Sequence, residues 1–504
     1  MENFVFSSRA KMVTGSFAVI GLICLVWTYL IGGDDHHMRF WTNFLHNSVF
    51  FLGIAFIAGF TLAAFSTAYA GWYVQIKRVW EAYSLWLLPA MFFMGVLIVG
   101  VWLKSHHLYH WNDPEHVAHD EILQLKSRFL NPIWYTFGTI VFVGFWYFCI
   151  SKMRQLSVEE DTEGTASFTQ HKKYKLYAAI FLPVAGFTSA ALIWQWIMSL
   201  DSHWYSTMFA WYATASWFVA MMALTIMMLI YLKSRGYFPK VTQEHFHDLG
   251  KYLFAISIFW TYLWFSQYML IWYGNVGEET IYFRERLDNY RFLFYANLVI
   301  NFVMPFFILM RNDTKRKMGT LFFASLIVFF GHWLDFFQMI KPATYRTSID
   351  LIESHGGDHG EAHSALESEQ IYHLTSLDQA DHDQHGEEAH GEEGHSHDGE
   401  HHGDDHSAAG AHGHDHDATG HENDHHDGLG AAGGVGVEHE GGHHDFPPRY
   451  VEFKMGYMLP GFLEIGTFLG FLGAFLFFVL GRLEAVNIEP QRDPYLDESR
   501  HHHT

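Results

Sequence analysis

Cysteine is almost absent: the 504-residue chain has two, Cys24 and Cys149. Both fall in apolar runs and neither stands in a pair with ligand spacing. The chain therefore cannot itself build an iron–sulfur cluster, a thiolate zinc site, a covalently attached c-type haem or a disulfide framework. Packing as small apolar side chains suits both. Basic residues are missing from one long stretch. His355 to Asp445 holds 21 of the 37 histidines and 23 of the 53 acidic residues, with no Lys or Arg. The remainder carries 30 acidic against 31 basic residues, so the formal charge of −22 is local and does not describe an acidic soluble protein. Histidines inside apolar runs are scarce too. Only His46 and His332 qualify, at most one ligating pair for a b-type haem. No redox centre is expected in this chain, and in an electron-transfer system another subunit would carry the electrons.

What the sequence has in abundance is apolar runs of about twenty residues, the length that crosses the ~30 Å hydrocarbon core as a helix. This excludes a soluble globular enzyme and a nucleic-acid binder. Ten spans are expected, at about 12–32, 45–70, 83–103, 132–150, 178–198, 209–231, 252–273, 292–310, 318–339 and 455–480. The first lacks a small-residue cleavage site and reads as a retained span. Trp72-Tyr73, Trp102, Trp134 and Trp272-Tyr273 stand near span ends, where amphipathic rings suit the interface. Small residues, among them Gly53, Ala55, Gly59, Gly466, Gly470 and Gly473, suit close helix packing.

The fold class is therefore all-α integral membrane, and the organisation is read in four parts. Spans one to nine occupy 1–345, a His-rich loop 346–447, the tenth span lies within 448–482, and a tail fills 483–504. With the N-terminus in the cytoplasm, 20 of the 31 Lys and Arg residues fall in inside segments. Both termini are then cytoplasmic, and the His-rich loop is outside. Two-thirds of that loop is His, Asp, Glu or Gly, so it cannot bury enough apolar surface to order itself and is expected to be disordered. Protonating its imidazoles would move it from −23 to about −2, a buffering tether. His412, His414 and His416 are weak metal candidates, because their spacing is irregular and their ligands interchangeable. No other metal site is expected.

Ionisable groups at membrane depth cost ~2.5–3.5 kcal/mol each and need a reason. Glu464 is the clearest, one turn after Pro460 in the last span. His332 and Asp335 follow, at i, i+3 on one helix face. His46, Asp201, His203 and Gln267 fall toward the same outer side, and Asn297 and Asn301 line one face of the eighth span. These groups read as a proton path or the lining of a quinol pocket, since a carboxylate beside an imidazole accepts and passes protons. The bland alternatives are charges at headgroup level for Asp201, His203 and Asp335, and helix–helix hydrogen bonds for the two asparagines. Glu81, close to Lys77 and Arg78, reads as an ion-pair partner or an inner proton entry.

Several segments resemble one family. Trp194-Gln195-Trp196 leading to Ser199-Leu200-Asp201-Ser202-His203-Trp204, and Ser266-Gln267-Tyr268 leading to Gly274-Asn275-Val276-Gly277-Glu278-Glu279-Thr280, are similar to segments of the NrfD-type membrane subunits of bacterial alternative complex III. Ala70-Gly71-Trp72 with Lys77-Arg78-Val79 and Glu81, and Gly331-His332-Trp333-Leu334-Asp335, resemble its ActF branch. The resemblance covers the ten spans. Gly277 and Ser202 replace the proline expected at two turns, which alters loop shape more than chemistry. The resemblance implies two four-helix bundles plus two further helices in a quinol:electron-acceptor oxidoreductase of the bacterial cytoplasmic membrane. It implies partners as well: a homologous ActC-like subunit, an iron–sulfur subunit, c-type cytochrome subunits carrying haem c, and a terminal oxidase. Menaquinol or another quinol would be the substrate, held more safely by the ActC-like subunit. The rival class is a secondary transporter for divalent metal ions, suggested by the His-rich loop; the broken midplane helices of such transporters are not evident.

Overall fold

In the computed structural model the described residues are 4–32, 36–163, 168–355 and 451–502. Among them there is no β-strand, and ten helices are long and apolar enough to cross a membrane. They are α1 Ser8–Ile31, α2 Met38–Thr67, α3 Lys77–Trp102, α4 Pro132–Thr162, α5 Thr169–Leu200, α6 Thr207–Ser234, α7 Gln243–Gly274, α8 Arg291–Leu309, α9 Met318–Ile352 and α10 Phe462–Glu484. This is the make-up of a multi-pass membrane protein. All ten expected spans are present, but polar residues extend several beyond the apolar run: α4 ends at Thr162 rather than near 150, and α5 and α7 begin at Thr169 and Gln243 rather than near 178 and 252.

Two further differences concern the last two spans. The ninth helix was expected to end near 339 with a loop from 346, but it continues to His355. Pro342 removes one backbone hydrogen bond and crowds the preceding turn, yet the helix runs on through it. The hydroxyls of Thr344 and Thr347 bond back to the carbonyls of Ile340 and Ala343, and Arg346 is anchored by carboxylates on other segments. The tenth begins at Phe462, because Pro460 and Gly461 stop it from starting near 455.

The neighbours fall into an order. α2 touches α3 and α5, and α4 touches both of those. α6 touches α7 and α9, and α8 touches both of those. α2 is buried on almost every side, meeting α6, α9 and α10 as well. α1 packs mainly on α10 and turns Leu22, Ile23, Val26 and Leu30 outward, as a lipid-facing helix would.

Without water between them, apolar helices gain little by hiding from solvent, so close approach decides their packing. A Cβ placed on Gly21 would lie 2.1 Å from Cα of Gly470, and one on Gly473 would lie 2.6 Å from Cβ of Phe17. At the α1–α10 seam Gly470 and Gly473 admit the backbone of α1, and Gly466 admits the Cys24 side chain. Gly470→Val should cost roughly 1–3 kcal/mol through overpacking, read as a lower unfolding midpoint in detergent. Gly15→Val, at a position with nothing within 4 Å, should leave that midpoint in place. Equal midpoints for the two variants would refute the close seam.

Candidate functional site

α9 carries two polar networks on different faces. The first gathers around Asp335. Its Oδ1 accepts from the Tyr212 hydroxyl of α6 and, at 2.7 Å, from Asn297 Nδ2 of α8. Its Oδ2 accepts from Trp260 Nε1 of α7 at 2.9 Å. His332, one turn earlier, has Nδ1 at 2.9 Å from Ser216 Oγ and at 4.0 Å from Asp335 Oδ2. Asn297 reaches Gln338 Oε1 at 3.2 Å, and Asn301 donates to Asn297 Oδ1 at 2.5 Å. Asn301 sits in a widened π-turn, Val299–Val303, an irregularity found often at functional positions.

His332 and Asp335 are both 0% exposed. Among the described residues no Lys or Arg pairs with Asp335, and its three hydrogen-bond partners are neutral. Three polar atoms of the group, His332 Nε2, Asn301 Oδ1 and Gln338 Nε2, have no partner among the described residues. Of the three direct partners, Trp260 and Asn297 can only donate through the atoms they present. The Tyr212 hydroxyl can reverse and accept a hydrogen bond from a protonated Asp335.

The second network holds Glu464, in the first turn of α10 and 1% exposed. Arg39 of α2 grips it with both prongs, Nε to Oε1 at 2.8 Å and Nη2 to Oε2 at 3.0 Å. Asn43 Nδ2 and the backbone N–H of Gly461 each donate at 3.0 Å. Lys341 of α9 donates to Asn43 Oδ1 at 2.7 Å, which adds a second cation nearby. Glu464, the clearest of the ionisable groups expected at membrane depth, is a paired carboxylate that ties α10 to α2. His46 belongs to this side: its Nε2 lies 3.0 Å from the Trp333 carbonyl, and its ring stacks on that indole at 5.0 Å.

The remaining candidates lie apart. Asp201 joins Arg346 at 2.7 Å and Arg286 at 3.6 Å, and Arg346 also takes Glu285 at 2.6 Å. Burial pushes the Glu285 carboxyl above its ordinary range, with Arg346 opposing. His203 pairs with Asp120. Gln267 is buried with Nε2 unpartnered. Glu81 is an ion-pair partner, bound to Arg78 at 2.7 Å and Arg154 at 2.9 Å, while Lys77 goes to Asp493 at 2.5 Å. Glu160, His171 and Asp493 each offer one ligand atom, all within 4.8 Å of one another. The Lys77 ammonium already supplies the cation there.

A cleft of about 990 Å³ at the Asp201 end is lined by His107, His110, His116, His119 and His203 with Asp113 and Asp120. Burial, and then the neighbouring His116, push His110 down to about 4. Of these histidines the sequence singled out only His203. The metal candidates His412, His414 and His416 lie outside the described residues. The sequence also passed over Tyr212, Ser216, Trp260, Arg39, Asn43 and Lys341. Arg39 and Lys341 left one signal, a lone base within a few residues of an apolar run. No family model matches the chain, and no curated protein matches it.

Proposed function

We propose that this chain is an ActF-like, NrfD-type membrane subunit of a respiratory quinol:electron-acceptor oxidoreductase of the alternative complex III kind. It carries no redox centre itself, and it handles protons at Asp335. The observation that carries the proton role is Asp335 itself, an acid in the middle of α9 held by neutral groups from three other helices. His332 Nδ1 lies 4.0 Å from Asp335 Oδ2, so a small reorientation lets the carboxyl hand its proton to the imidazole, whose far nitrogen has no partner among the described residues. The neighbour order supports the resemblance: α2 to α5 form one ring of four, α6 to α9 another, and α1 with α10 the further pair. In this reading both termini face the cytoplasm, and the His-rich loop is periplasmic. Quinol is the substrate of the complex; within this subunit the Asp335 network is where one could exchange protons.

A rival reading, a divalent-metal transporter, draws on the histidine-lined cleft. Among the described residues it lacks a matching ligand set deeper in, where Asp335 and His332 are surrounded by amides, hydroxyls and indoles.

Extraction in mild detergent separates the two. Subunit masses and a reduced-minus-oxidised haem spectrum on one sample should show this chain with haem c and a large iron–sulfur subunit. A lone chain without chromophore would overturn the assignment, and zinc uptake into vesicles would then be the assay to run.

A further inference from the structure

An apolar groove of about 780 Å³ opens on the flank of the bundle between α1, α6, α9 and α10. Phe322, Phe329, Leu469, Leu472 and Met228 are typical of its wall. Its charged lining residues are Arg9, in the first turn of α1, and Arg235, just past the end of α6. Both are exposed at the same end of the groove, and neither has an acidic partner among the described residues. Neighbouring Lys11, by contrast, is paired with Glu484 at 3.3 Å.

Depth limits what can fill it. Along α6 the groove runs from Arg235 to Leu224, about 16 Å at 1.5 Å per residue, and along α10 from Leu480 to Ile465, about 22 Å. A partner helix crossing the bilayer would need the full ~30 Å. One membrane leaflet is about half of that, so the groove has the depth of one leaflet and a little more. Two guanidiniums at the mouth and hydrocarbon below have the polarity of a single lipid molecule. Arg is also the side chain best shaped to hold a phosphate with two parallel hydrogen bonds.

We propose that this groove is a binding site for one anionic glycerophospholipid, with its phosphate between Arg9 and Arg235 and its acyl chains along α10 and α9. The site does not depend on the respiratory assignment. It would act as mortar for α1, which is otherwise held chiefly along its seam with α10.

The test uses the full chain, stripped of lipid in detergent and then offered phosphatidylglycerol or phosphatidylcholine. Retention is read by mass spectrometry under non-denaturing conditions. Wild type should keep one phosphatidylglycerol per chain with a preference of about tenfold or more over phosphatidylcholine, as two surface arginines allow. Arg9→Gln with Arg235→Gln should erase the preference; both side chains are exposed, so folding should be unaffected. Ala10→Phe, which narrows the groove wall, should lower retention of both lipids and leave the arginines in place. Equal retention of the two lipids by wild type, an unchanged preference in the double variant, or retention of a prenylquinone in place of phospholipid would each overturn the proposal.

Discussion

Asp335→Asn is expected to lower proton-coupled turnover of the assembled complex by about 10²–10⁴-fold, the usual contribution of a positioned acid–base group. The abundance of the subunit should hardly change. The amide keeps the size of the carboxyl but cannot bind and release a proton. It also brings an N–H₂ into a ring of donors. Placed toward Oδ2 it would face Trp260 Nε1, and placed toward Oδ1 it would face Asn297 Nδ2. One donor is then left without an acceptor, at a cost of ~1–3 kcal/mol, which a stable bundle can bear. Tyr212→Phe removes one donor and spares the acid, so its effect should be the smaller. Quinol-dependent turnover and proton release measured on the same preparation decide the matter. Normal proton stoichiometry in Asp335→Asn would sink the proton role.

The second large effect concerns folding. Arg39→Ala leaves Glu464 buried with its bidentate partner gone, and breaking such a pair costs ~3–5 kcal/mol. That is a large share of an ordinary 5–15 kcal/mol margin. The variant should accumulate poorly in the membrane. Glu464→Gln should accumulate well, because the amide can still accept from Asn43 and from the arginine. Arg39→Ala with Glu464→Gln should recover much of what Arg39→Ala alone loses, a coupling that membrane yield and detergent melting can read. If Glu464→Gln assembled normally yet lost proton-coupled activity, Glu464 would be an acid in the path after all.

The spans were legible because a twenty-residue apolar run admits few other structures. Their ends were less so, since a helix that leaves the apolar layer keeps going on polar residues, as α9 does past Pro342 to His355. The i, i+3 spacing of His332 and Asp335 and the i, i+4 spacing of Asn297 and Asn301 placed each pair on one face. That the two faces meet is a matter of helix order, which spacing does not contain. Tyr212 and Trp260 read as core aromatics like many others; only the carboxylate opposite them makes their polar atoms matter. Glu464 stood out for its burial, correctly, but a buried acid is defined by its partner, and Arg39 lies 425 positions away.

One feature of α9 ties these results together. His332 and Asp335 face α6, α7 and α8, while Trp333 and Lys341 reach α2 through His46, Asn47 and Asn43. A continuous helix is stiff in torsion, so α9 works as a camshaft with lobes on two sides. It cannot turn its acid away from Tyr212 without also dragging the Trp333 carbonyl off His46 and Lys341 off Asn43. Any rearrangement at Asp335 is thereby geared to the clamp that seats the last helix.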